Sequence, residues 1–229
     1  MTQDFETNKK RIERLGLTCN LTDDDGKIHY FQDGHEFVEI GGIKWATCNV
    51  GAERESDKGL YFQWGDIQGY TIDQVGNDKG KKFFGWADYM YGNDVMNKYN
   101  PIDGKRVLEA SDDAARFHMG GSWRMPTVDD FRILLANTTN KWVINYKRTG
   151  VIGRVFTSKI DSSKTLFFPA CGCCSNGSRK HMGIIGFYWS SSLNSSSAVF
   201  GGRFFFDSRD CNVYHSYRFG GFPVRGVVG

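Results

Sequence analysis

Three groups of side chains in this chain of 229 residues have the chemistry to hold a ligand or drive a reaction. The first is the run Cys171, Cys173 and Cys174, with His181 a few residues beyond. Thiolates and an imidazole at short range can bind zinc, but this spacing matches neither a paired CxxC site nor a disulfide framework. With Cys19, Cys48 and Cys211 they make six cysteines. They read as reduced thiols, with no metal or cofactor expected. The second group is acidic: Asp112 with Asp113, and Asp129 with Asp130. Paired carboxylates can ligate calcium, but both pairs sit at expected helix starts, where the helix dipole and the free N–H groups favour them. The third group is the tail segment RFFFDSRDCNVYHSYRFGG, residues 203–221. In a strand through 203–208, Phe204 and Phe206 face one way, and Arg203, Phe205 and Asp207 the other. Tyr, Arg and Phe exposed together suit a recognition surface of rigid rings and adaptable polar groups. No nucleophile–base motif, P-loop or GxGxxG is present, so no catalytic residue is expected.

The elements that position these groups are short. Residues 4–15 predict a charged helix with Phe5, Ile12 and Leu15 apolar and Gly16 as C-cap. Residues 22–34 read as a hairpin or linker, so 1–35 form an N-terminal extension to a domain over 36–229. Residues 36–51 alternate like strands around a Gly-Gly turn, and 59–66 form another strand-like run. Residues 67–105 read as a long ordered surface loop. Two short helices follow: 111–119, with Ser111 as N-cap, and 126–137, with Thr127 as N-cap and Asp130 near the capping-box position. Short β-like runs then occupy 154–160, 165–170, 186–192, 201–208 and 221–228. The fold class is α+β, with mostly antiparallel strands. Trp45, Trp64, Trp123 and Trp189 are expected in the core, and Arg124 in a structural polar contact.

Composition narrows the function classes. Hydrophobic residues are 40% and charged residues 24%, which suits a globular domain. The net charge of +3 is too balanced to argue for nucleic acid. No apolar run is long enough for membrane insertion. The opening segment MTQDFETNKKRIERLG has no apolar signal core. The expected location is therefore the cytoplasm as synthesised.

The tail also breaks the composition of the chain. Residues 190–229 contain no Lys, Glu, Gln, Met or Trp, although Met and Trp number six each in the whole chain. Strand propensity disfavours Lys, Glu and Gln but does not explain the loss of Met and Trp. These five residue types share one genetic property: none has a codon ending in a pyrimidine. A tail written in pyrimidine-ending codons would lack all five. The tail's four arginines and two aspartates give it a local balance of +2, which favours partners with acidic groups set among apolar ones.

The motifs EIGGIKWATCNVGA (39–52), GLYFQWGD (59–66), DGKRVLEASDDAARFHMGGSWRMPT (103–127), LFFPACG (166–172), GFYWSSSLN (186–194) and GFPVRGVV (221–228) together resemble one family. It is the C-type-lectin-fold domain common in gut Bacteroides and their phages, related to the Fibrobacter major paralogous domains. The family includes the variable proteins of diversity-generating retroelements, in which adenine-directed mutagenesis randomises a C-terminal segment. The resemblance implies a lectin-like fold with a diversified segment at about 190–225 that binds a protein or glycan receptor on a target cell, as in phage receptor binding or adhesion. It places Phe204 and Phe206 in the core. It places Arg203, Phe205, Asp207, Arg209, Asp210, Cys211, Tyr214, His215, Ser216, Tyr217, Phe219 and Gly220 where the family's variable residues lie. Residues 175–186 would form a second contact loop. Two alternatives share the fold: an invariant structural or adhesion domain, and a formylglycine-generating type of enzyme, which needs a defined cysteine pair. Fold alone does not choose among them.

Overall fold

The computed structural model describes residues 3–92 and 95–229. It is a mixed α+β molecule of short helices and antiparallel sheets. Helix α1 (Gln3–Leu15) buries Phe5 and Ile12, two turns apart on one face. Its end is marked by Gly16 at φ +60°, and Leu17 N–H bonds back to the Ile12 carbonyl. The chain then runs through β1 (Cys19–Thr22), β2 (Ile28–Gln32), β3 (His35–Ile40) and β4 (Ile43–Asn49). These strands form one sheet in the order β1-β2-β3-β4-β13, closed by the C-terminal β13 (Arg225–Val228). The sheet is continuous across residue 35, so the N-terminal extension is an edge of the domain's own sheet.

One polar cluster fastens that edge. His29 places Nδ1 2.6 Å from Glu36 and Nε2 3.0 Å from Asp23, while Lys9 of α1 sits 3.0 Å from Glu36. The hydrogen bond to Glu36 raises the His29 pKa against the opposing effect of burial. Burial disfavours the Glu36 carboxylate, yet the His29 hydrogen bond and the Lys9 charge bring it down to about 2. A raised histidine stabilises the fold below its unfolded pKa, and that contribution fades as pH climbs through the folded value. A lowered glutamate stabilises above its unfolded pKa and fades as pH falls through its folded one. Protection of α1 and β1–β2 amides should therefore be greatest between the ordinary values of 4.5 and 6.5, and decline on either side. Amide exchange of the wild type and His29→Gln, expressed as protection factors, checks this. An identical pH profile in the two proteins would contradict it.

The helices α2 (Ala114–Met119) and α3 (Val128–Asn137) follow the long segment 67–105. Thr127 caps α3, with the reciprocal bond from Asp130 in place. Asp130 also holds Arg124 at 2.6 Å, the structural contact expected there. Ser111 is not a cap. A short turn at Ala110–Asp112 comes first, and Asp113 caps α2 by accepting from Arg116 N–H. Asp112 instead accepts from Tyr99, Lys98 and Ser111.

The segment 67–105 is not a surface loop. It buries Phe84, which joins the core cluster around Tyr61, Phe168 and Phe206, and Tyr89, Tyr91, Met96 and Tyr99, which pack with Trp64, Trp189 and Phe222 in a second cluster. The Asp88 carboxylate gathers the backbone N–H groups of Phe83, Phe84 and Gly85, so this irregular backbone stays paired while its rings go inside.

Three smaller sheets complete the fold. They are β5 (Thr138–Val143), β6 (Gly153–Ser158) and β7 (Thr165–Pro169); the hairpin β8 (Cys173–Ser175) and β9 (Ser178–Lys180); and β10 (Gly186–Leu193), β11 (Phe200–Phe206) and β12 (Cys211–Tyr217). The four tryptophans expected in the core, Trp45, Trp64, Trp123 and Trp189, are all fully buried. Among the described residues no helix is long and apolar enough to cross a membrane.

Candidate functional site

The tail folds as β11, a turn at 207–210, and β12, laid antiparallel on β10. Side chains alternate along these strands, so directly paired residues share a face. Phe204 and Phe206 point inward and are fully buried, with Phe204 stacked on Phe131 of α3 at 4.6 Å. Arg203 and Phe205 point the other way. Arg203 pairs with Tyr214, and Phe205 with Asn212 on one side and Phe187 of β10 on the other. Over β10 this outer face is covered by Phe222, which packs on Trp189 and Phe187. Over β11 and β12 it is open.

There, Arg203, Phe205, Asp207, Arg209, Asp210 and Tyr214 line one open depression of about 430 Å³. The Arg203 guanidinium is centred 4.5 Å from the Phe187 ring, 5.3 Å from Phe205 and 5.6 Å from Tyr214. Its Nε donates to Ser216 Oγ at 2.5 Å. Its Nη1 is sealed from solvent and has no hydrogen-bond partner. Burial lowers the group to about 10, which leaves it charged at neutral pH. The turn builds the rim: Asp207 Oδ1 accepts from the N–H groups of Arg209 and Asp210. Tyr214 OH donates to Asp210 at 3.2 Å.

The other residues expected at the site lie elsewhere on the tail. Cys211 faces the inner side opposite Phe206, where burial pushes its thiol up to about 12. His215 also points to the α3 side, opposite Gly202. A Cβ at Gly202 would meet Val128 and Ser190 within 2.7 Å, so glycine is what lets α3 approach. Tyr217 and Phe219 stack on each other and meet Trp86 edge-on, forming a second aromatic surface with Phe200. Gly220 is buried in the turn after β12, and its carbonyl accepts from Trp189.

The expected tail charge of +2 does not reach the surface. Arg218 and Arg225 are both fully buried. The open face keeps Arg203 and Arg209 against Asp207 and Asp210, a formal balance of zero. Arg218 donates to Tyr89 OH and to the carbonyls of Lys98, Tyr99 and Ala198. Arg225 donates to Asn49 and to the carbonyls of Ala46, Thr47 and Phe167.

Cys171, Cys173 and Cys174 are buried, and burial raises the Cys171 and Cys174 thiols to about 11 and 12. His181 stands on the surface beyond β9, its ring 6.4 Å from Phe187, so this hairpin flanks the Arg203 cup. Among the described residues no three His, Cys, Asp or Glu side chains converge as a metal site.

Two ring residues of the face were absent from the expected set. Phe187 was detectable, because alternation through 186–192 puts it on the face opposite Tyr188. Trp86 was not, because it lies in irregular backbone with no period to read. No family model, curated protein or solved structure matches this chain.

Proposed function

We propose that this protein is a non-enzymatic recognition domain of C-type-lectin-like fold. Its segment at about 190–225 presents a surface diversified by a retroelement to a protein or glycan receptor on a target cell, in the setting of a phage virion or a bacterial surface. One coincidence carries the reading: all six residues lining the open depression come from the stretch that lacks Lys, Glu, Gln, Met and Trp. Other residues of the same stretch, Phe204, Phe206, Arg218 and Arg225, are fully buried inside the fold. A fixed interior under an outward set of Arg, Tyr, Phe and Asp is what a replaceable binding face requires. The buried, high-pKa thiols at 171–174 speak against a reactive cysteine pair and hence against the enzymatic alternative.

The test is replacement of Arg203, Phe205, Asp207, Arg209, Asp210 and Tyr214 together by serine. Binding to a panel of gut bacterial strains is then measured by flow cytometry. The wild type should label a restricted set of strains, and the variant should lose that labelling while keeping its melting temperature. Undiminished labelling of the same strains would place recognition elsewhere.

A further inference from the structure

We infer that the depression over β11 and β12 binds an acidic sugar residue, its carboxylate on Arg203 and its hydroxyls on Asp207 and Asp210; this deepens the recognition reading above and rests on it. The observation behind it is the unequal use of three half-buried or buried arginines. Arg218 and Arg225 lack carboxylate partners too, but each spends its guanidinium on backbone carbonyls and a side-chain oxygen. Arg203 makes one hydrogen bond, through Nε to Ser216, and leaves Nη1 without an acceptor. No ion pair to Arg203 forms among the described residues, and three aromatic rings stand around it in place of water. A charge partly shielded from water and lacking a counter-ion gains an anion's attraction at a reduced desolvation cost on its own side. Its Nη2, which makes no hydrogen bond among the described residues and is not sealed from solvent, is the donor that a carboxylate in the depression can reach.

The rim selects the carrier of that carboxylate. Asp207 and Asp210 stand at the mouth and would repel a segment rich in acidic side chains. They accept hydrogen bonds, which the vicinal hydroxyls of a sugar supply. Each has acceptor capacity left: Asp207 uses Oδ1 for the turn, and Asp210 uses Oδ2 for Tyr214. The faces of Phe205 and Tyr214 offer apolar walls for the C–H side of a sugar ring. The volume of about 430 Å³ lies at the small end of ligand sites, room for one or two sugar units.

Titration calorimetry and ligand-observed NMR on the full chain test this. The probes are a galactose trimer carrying one terminal galacturonic acid, the matching neutral galactose trimer, and a short poly-glutamate peptide. The acidic trimer should bind, with the neutral trimer and the peptide each at least about tenfold weaker, the size of one lost charge-assisted hydrogen bond. Arg203→Gln keeps the stem on the rings and removes the charge, and it should weaken the acidic trimer by about tenfold or more. Lys79→Ala, at an exposed site far along the chain, should change nothing. Equal binding of the neutral trimer, preference for the peptide, or unchanged binding by Arg203→Gln would each overturn the inference, as would no binding of any probe. If the inference fails while the six-serine variant still loses cell labelling, only the ligand class is wrong. If labelling persists in that variant, the recognition reading itself falls.

Discussion

Arg218→Ala should destabilise the protein by about 3–5 kcal/mol, even though it lies inside the tail proposed to vary. Its guanidinium sits 4.6 Å from the Trp64 ring, within a box that includes Tyr89, Tyr91 and Tyr99. From there it joins the carbonyls of Lys98 and Tyr99 to that of Ala198. One side chain thus ties the irregular segment 67–105 to the start of β11. Alanine leaves three carbonyls short of a donor, that of Tyr99 in a buried bond, and opens a cavity among the rings. Arg218→Lys keeps the charge but not the fork, and should recover only part of the loss. Chemical denaturation with a two-state fit measures the difference. A cost close to that of an ordinary surface substitution would show that the clamp carries little of the fold.

Trp189→Ala should cost a similar amount, about 3–5 kcal/mol, as for other buried aromatics. Its ring is fully buried and packs 4.2 Å from Phe222, and its Nε1 donates to the Phe62 carbonyl at 2.8 Å. It lies directly across the ladder from Arg203, so core and display face are adjacent on one sheet. Tyr214, one strand further out, is exposed, and Tyr214→Ala should move the melting midpoint by no more than about 2 °C. Equal losses at Trp189 and Tyr214 in thermal melts would mean that the outer face is structural.

How much of this could be read from residues alone depended on periodicity. Thr127 and Asp130 announce the start of α3 because a capping box has a fixed spacing. Alternation over 203–206 separates Phe204 and Phe206 from Arg203 and Phe205, and the structure keeps that division. Where no period exists the reading failed. Residues 67–105 look like surface because Gly, Asn and Lys dominate them, yet their scattered aromatics fill the core. The strand β5, TTNKWV, is too polar to register as a strand; it is half exposed and forms because β6 offers it a partner. Burial of Arg218 and Arg225 was invisible because arginine is ordinarily a surface residue, and only the fold shows which carbonyls await it. The grouping of Arg203 with Asp210 and Tyr214 depended on the turn at 207–210, which sets the register of β12.

If the tail is a replaceable surface over a fixed interior, its coding DNA carries the record, and sequencing many copies of that DNA reads it. The predicted result is pyrimidine-ending codons through residues 190–225, with an adenine-rich near-copy of the segment nearby. Amino-acid variation should concentrate at outward positions such as Arg203, Phe205, Asp207, Arg209, Asp210 and Tyr214, and spare Phe204, Phe206, Arg218 and Arg225. An invariant tail with mixed third bases, or variation spread evenly over inward and outward positions, would contradict it.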